Sequence, residues 1–461
     1  MSVWQTGPAA QSISRSNPVW RRDFEETLPD LTDGDIAGSG FAIAGYTVHR
    51  DLGGDAALAR LRARLRQRGI KLMLDFVPNH MAPDHPWVEE HPEFFVIGSE
   101  SDLARTPENY FRLPGHKESR VFAHGRDPYF PGWPDTIQLN YGNPALQEAM
   151  IGELLRIAGQ CDGLRCDMAM LLLPEVFLRT WHLEAPPFWP RAISYVRRQA
   201  PEFVFMAEVY WDLEWALQQQ GFDYCYDKRL YDRLRDGDAR LVHDHLLADL
   251  DYQKRLARFL ENHDEPRAAA TFESGRHRAA AIVTYFSPGL RFFHQGQCEG
   301  RRKHISPHLI RAPFESPNEA LQEFYARLLD TLKHPAVRDG NWRLLECRPA
   351  WQGNWTHNCF ITFAWEYPAE QLIIAVNFSD HPSQAKLSLP FKTSVNKTYR
   401  FEDLINNATY DWPGSNLAAE GLFVDLPAWG SHVFAVSECV VDKVEEAPAG
   451  VNFGAGRLHR S

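Results

Sequence analysis

The chain has 461 residues, 44% of them hydrophobic and 24% charged, an ordinary balance for a globular protein and enough apolar material for more than one core. Its formal net charge of -11 argues against nucleic acid as the main partner, because phosphate contacts need surplus Lys and Arg, and the basic run Arg301-Arg302-Lys303 is short. No apolar run is long enough to cross a membrane, and the N-terminus lacks the basic start and apolar stretch of a signal peptide.

The seven cysteines are scattered and never spaced C-x-x-C, so neither a zinc site nor a disulfide framework is expected. Free thiols in a reducing, cytoplasmic compartment are the expectation. The oligomeric state is not legible.

In chain order, Asp55 is expected to cap a helix with Leu58, Leu61 and Leu65 on one face and Gly69 at its end. The apolar run Ile70 to Val77 reads as a strand stopped by Pro78. Residues 81 to about 142 carry many Pro, Gly, His and aromatic residues without a clean period, and read as an inserted subdomain. Asn143-Pro144 is a cap and first-turn pair for a helix carrying Leu146, Met150, Leu154 and Ile157.

Cys161 to Met168 reads as a buried strand, followed by a helix near Arg191 to Ala200 and a strand at Phe203 to Val209. Further strands are expected at Phe222 to Asp227, Leu256 to Leu260 and Leu290 to Phe293. Strand and helix alternating at this spacing imply an α/β fold with a parallel sheet, whose chemistry sits at strand C-termini. After about residue 340 the helical pattern stops. Runs at Cys359 to Phe363, Leu372 to Phe378, Lys386 to Leu389 and His432 to Val436 imply an all-β sandwich. The expected domains are 1–338, with 81–142 inserted, then 339–438, then a loose tail at 439–461.

Four expected strands end in polar groups: Asp75-Phe76-Val77-Pro78-Asn79-His80, Gly163-Leu164-Arg165-Cys166-Asp167, Met206-Ala207-Glu208-Val209 and Phe259-Leu260-Glu261-Asn262-His263-Asp264. Breaking a glycosidic bond by double displacement needs one carboxylate to attack the anomeric carbon and another to protonate the leaving oxygen. Arg165 lies two residues before Asp167 on one strand, so it projects to the same side and could keep Asp167 ionised. Glu208 follows an apolar run, and burial there is expected to raise its pKa toward an acid role. Singly, each acidic strand end could be only a helix cap or half of a structural ion pair.

Taken in this order, the segments resemble the motif regions of the α-amylase family, glycoside hydrolase family 13. The resemblance covers most of residues 40 to 300. It implies a TIM-type (β/α)8 barrel acting on maltodextrin-like or short α-glucan substrates with retention of configuration. It would make Asp167 the nucleophile, Glu208 the general acid/base and Asp264 the transition-state stabiliser. His80 and His263 would bind sugar hydroxyls, with Asp75 a supporting carboxylate and Arg165 beside them. Gly40 to Tyr46 resembles the segment whose aromatic stacks under the reacting sugar, with Phe41 where the family usually has Tyr, and Tyr46 nearby. Trp133, Tyr210 and Trp211 are further candidate platforms.

Three departures shape the expectation. Met170 and Leu171 stand where many starch-degrading members have Lys-His, which implies a less polar acceptor side and opens transglycosylation as an alternative to hydrolysis. Gln138, in the stretch Thr136 to Asn140 that resembles the fifth family motif, replaces a common calcium-binding Asp. No cofactor is therefore expected, and calcium, for which Asn79 remains, is not favoured. Finally, the segment Ser2 to Gln5 matches a place in the family that a strand-helix unit precedes, so the barrel is expected to be incomplete at its N-terminus. An inactive sugar-binding scaffold is the third reading.

Overall fold

The computed structural model describes residues 2–113, 120–368 and 370–439. They form two compact units, one up to Leu328 and one from Leu329.

The first unit is built on a six-stranded sheet. In spatial order its strands are Met73–Phe76, Gly163–Cys166, Val204–Ala207, Tyr224–Tyr226, Leu256–Arg258 and Leu290–Arg291. Spatial order equals chain order, and every neighbouring pair is parallel. Each lies inside a run whose composition called for a strand. These strands are largely buried on both faces, which is why their sequences read as apolar runs rather than as alternation. Gly163 is needed for the packing, since a Cβ there would sit 2.8 Å from the Val204 carbonyl oxygen on the neighbouring strand.

Helices connect the strands. Asn143 caps Pro144–Ala158 by accepting from the Ala145 amide, Pro144 fixes the first turn, and Leu146, Met150, Leu154 and Ile157 are buried. Trp189–Gln199 precedes the Val204–Ala207 strand. Asp55 behaves otherwise than expected. The helix is Gly54–Arg66 with the left-handed Gly53 at its cap position, and the Asp55 carboxylate instead accepts from the Val48 amide. That bond ties the helix to Ile43–Val48, which pairs antiparallel with Trp4–Thr6. The Trp4 indole in turn donates to the Asp75 carbonyl at 2.8 Å.

The stretch 81–142 contains only short elements. Its ends meet where His80–Met81 pairs with Ile137–Gln138, and Ile97–Gly98, Val121–Ala123 and Tyr110–Arg112 form a small antiparallel sheet.

The second unit is mainly antiparallel β. A six-stranded sheet runs Asn341–Leu344, Phe360–Tyr367, Glu370–Asn377, Ser431–Cys439, Thr398–Asp403 and Ala408–Pro413, and a three-stranded sheet runs Cys347–Arg348, Ser383–Leu387 and Leu422–Leu426. One apolar core joins the two, with Ile373, Phe401 and Phe434 from the larger sheet against Leu387, Val424 and Leu426 from the smaller. From residue 440 on, the expected tail lies outside the described residues.

Candidate active site

The parallel register sets the site. Asp75 and Arg165 are opposite one another on adjacent strands, and Arg165 is opposite Met206 on the next. Asp167 and Glu208 follow directly from these strands: the Asp167 amide donates to Phe76 O and the Glu208 amide to Cys166 O. Both side chains therefore emerge at the same end of the sheet. Asp264 follows Leu256–Arg258 through a turn in which Asn262 Oδ1 accepts from the Asp264 and Glu265 amides.

The buried Arg165 guanidinium joins the carboxylates. Its Nη1 donates to Asp167 Oδ1 at 2.8 Å and to Asp75 Oδ1 at 3.3 Å, and its Nη2 is 2.7 Å from Glu208 Oε2. Asp167 is 5% exposed and Glu208 2%. Glu208 also accepts from the Tyr210 hydroxyl at 2.9 Å and from the Met168 amide at 2.8 Å. Met168 adopts a left-handed conformation (φ 43°) that turns this amide toward the carboxylate.

A cavity of about 330 Å³ opens above this cluster, lined by Asp167, Glu208, Asp264, His80, His263 and Phe41, among others. Phe41 stacks on His263 with centroids 5.2 Å apart, and the Arg165 guanidinium lies over the same ring. Trp133 and Tyr210 also line the cavity, as do Trp20, Asp135 and His308, which the sequence reading did not single out. Asp75 and Arg165 lie beneath it, lining a separate hollow with Tyr226 and Phe292. Tyr46 is not at the site. It is 2% exposed, packs on Trp4 and Phe76, and its hydroxyl donates to Val77 O at 2.7 Å, so the segment's second aromatic is a core residue.

The electrostatics follow from several carboxylates sharing one cation. Burial pushes Asp167 well above the usual carboxylate range; Arg165 opposes this, while Glu208, Asp75 and Asp264 add to it by like charge. Burial also pushes Asp264 up, to about 7, with the Glu208 charge second. For Glu208, burial acts upward but is outweighed by the Arg165 charge, with the Met168 amide and the Tyr210 hydroxyl, and the carboxyl is held below its ordinary range. This corrects the expectation that burial alone would raise Glu208. Burial pushes both His80 and His263 down to about 4, so they face the cavity as neutral imidazoles at pH 7.

Residues 30–220 match the family described as "Alpha amylase, catalytic domain". Over that stretch, less than half of its length, the chain is similar to the α-amylase catalytic domain. It is 23% identical over 294 residues to Alpha-amylase 3 of Dictyoglomus thermophilum, covering 59% of this chain and 55% of that protein. It is 24% identical over 321 residues to Alpha-amylase MalA of Haloarcula japonica, covering 65% and 42%. The chain thus spans about half the length of these curated relatives. Among solved structures, the noncanonic maltogenic α-amylase AmyB of Thermotoga neapolitana superposes with a TM-score of 0.66 at 17% identity, over 94% of this chain and 96% of that one.

Two of the expected departures from the family pattern look different in three dimensions. Met170 and Leu171 are buried in the short turn Ala169–Leu172 and line neither cavity beside the carboxylates. The neighbouring cavity, about 430 Å³, which shares Met168 and Tyr210 with the first, is lined by Asp127, Trp211, Asp212, Lys228 and Arg229. Asn79 and Gln138 are both buried and face each other as a reciprocal amide pair: Asn79 Nδ2 donates to Gln138 Oε1 at 3.1 Å, and Gln138 Nε2 donates to Asn79 Oδ1 and Asn79 O at 3.0 Å. Each side-chain oxygen thus accepts from the other residue's NH₂ group.

Proposed function

We propose that this chain is a retaining glycoside hydrolase acting on α-glucosidic bonds of maltodextrin-like or short α-glucan substrates. The observation that carries the reading is the single Arg165 guanidinium holding Asp167 and Glu208 at the floor of one cavity that Asp264 also lines. Carboxylates bound to the two terminal nitrogens of one guanidinium lie close together, which favours the retaining arrangement, with groups about 5 Å apart, over the wider inverting one. In this reading Asp167 attacks the anomeric carbon, Glu208 protonates the leaving oxygen and then activates water, and Asp264 binds the ring hydroxyls as charge develops. Asp75 and Arg165 act from below by holding the carboxylates. Phe41, His80 and His263 contact the sugar. For this chemistry Glu208 must carry a proton and Asp167 must be ionised; a sugar covering the pocket desolvates Glu208 and so favours its protonated form.

The test is proton NMR of maltotriose cleavage. The α-anomer is expected as the first product; the β-anomer appearing first would sink the retaining route. The transglycosylase alternative rested on Met170 and Leu171, and their burial removes that support. The family match, together with parallel strands that follow one another in chain order, supports reading the sheet as the greater part of a (β/α) barrel. A crystal structure in which the six strands from Met73–Phe76 to Leu290–Arg291 lie in a flat sheet, and do not curve about a common axis, would contradict this. The second unit is proposed to be the expected sandwich domain, and the seven unpaired cysteines support a reducing compartment.

We further propose that the chain works without calcium beside the insertion, because the Asn79–Gln138 pair already satisfies the groups an ion would bridge. Incubation with EGTA is expected to leave the melting temperature and the rate unchanged. A fall in the melting temperature, reversed by added calcium, would show the opposite.

A further inference from the structure

Asp135 is a fourth carboxylate in the active-site cavity, and neither the family resemblance nor the double-displacement chemistry uses it. It is 3% exposed, and its Oδ2 has no hydrogen-bond partner among the described residues. Burying a carboxylate oxygen without a partner is costly, and such a group in a cavity wall points to something that completes it.

The carboxylate is also held in place. Trp133 bridges Gly125, with its amide donating to Gly125 O at 2.8 Å. Thr136 Oγ1 donates to Trp133 O at 2.9 Å and accepts from the Gly125 amide at 3.0 Å. Gly125 itself is wedged so closely that a Cβ would come within 2.8 Å of both His80 Cβ and Thr136 Oγ1. Trp133 meets His80 ring to ring at 5.1 Å. Asp135 thus sits on a fixed loop between two residues that line the same cavity, Trp133 and Thr136.

The charge around it narrows the ligand. The cavity is lined by Asp135, Asp167, Glu208 and Asp264, and no Lys or Arg is among its described lining residues. Its histidines, His80, His263 and His308, are each pushed by burial to about 4 and supply no positive charge at pH 7. Within this cavity a phosphate group would meet carboxylates and no lining Lys or Arg, whereas sugar hydroxyls can donate to the carboxylates and the C–H face of a sugar ring can stack against Trp133 or Phe41.

We propose that Asp135 is a substrate-binding residue that accepts hydrogen bonds from the hydroxyls of an uncharged glucosyl unit, making the site selective for neutral over phosphorylated sugars. The proposal rests on the glycosidase reading for the kind of ligand, but its test does not depend on turnover. Calorimetric titration of maltotriose, maltose and maltose 6-phosphate into the parent protein, Asp135→Asn and Asp135→Ala reads binding directly, with melting temperatures measured alongside.

The parent is expected to bind maltotriose and maltose and to reject maltose 6-phosphate. Asp135→Ala is expected to lose about 10- to 100-fold in affinity for maltotriose, as for a hydrogen bond to a charged group. Asp135→Asn should lose less while melting no lower than the parent, because it removes a buried charge whose Oδ2 has no partner among the described residues. A structural role predicts the reverse, a lowered melting temperature with unchanged affinity, and that result overturns the proposal. So does equal binding of maltose 6-phosphate, or no binding of either neutral sugar. A parent that binds maltotriose but never cleaves it would defeat the glycosidase reading and leave this one standing.

Discussion

Asp167→Asn is expected to lower kcat on maltotriose on the order of 10⁴-fold or more, the scale seen when a group that acts as part of a catalytic unit is removed. Asparagine keeps the volume and can still accept from Arg165 Nη1, which stands 2.8 Å from Asp167 Oδ1, so the loss should report chemistry rather than collapse. The melting temperature should hold or rise, because burial and its acidic neighbours already disfavour the Asp167 charge in the open pocket. A fluorinated glycosyl donor followed by mass spectrometry supplies the direct check: the parent should carry the label on Asp167, and the variant should carry none. Persistent labelling at another residue would refute the assignment.

Glu208→Gln should show a loss that depends on the leaving group. With maltotriose, whose leaving oxygen needs a proton, kcat should fall about 10²- to 10⁴-fold. With α-glucosyl fluoride, whose departing ion needs much less help, the first step should be far less impaired. The side-chain geometry allows a clean comparison. The glutamine carbonyl can take the place of Oε2 beside the Met168 amide, and its NH₂ can donate to a Tyr210 hydroxyl rotated to accept. Equal losses with both donors would show that Glu208 acts in some way other than proton donation.

How much of this was legible before the fold is best judged residue by residue. Asp167, Glu208 and Asp264 were legible because each follows a short apolar run, and parallel strands deliver their next residues to one end of the sheet. The Asn143-Pro144 helix start was legible because capping is a local property. Tyr46 was misplaced because its neighbour Phe41 does reach the cavity, and nothing local distinguishes an aromatic that faces the sugar from one that packs on Phe76. The direction of Glu208 was missed because burial can be inferred from an apolar run, whereas bonds from Tyr210, Met168 and Arg165 depend on tertiary approach. Asp135 was invisible for a further reason. It lies in the aperiodic insertion, where no pattern says which side chain turns inward; a buried acidic residue beside the fifth-motif stretch was the one available signal, and acidity alone is common on surfaces.

The Arg165 guanidinium carries a consequence for how any kinetic experiment on this protein will read. Because one fixed cation is divided among Asp75, Asp167 and Glu208, with Asp264 coupled through Glu208, the acidity of each is a property of the set. Neutralising one member frees attraction for the rest, so every single substitution also retitrates its companions. Apparent pKa values from a rate profile will belong to the quartet, and double substitutions within it will depart from the sum of the singles. A rate profile of this protein therefore reads the four carboxylates as one titrating unit.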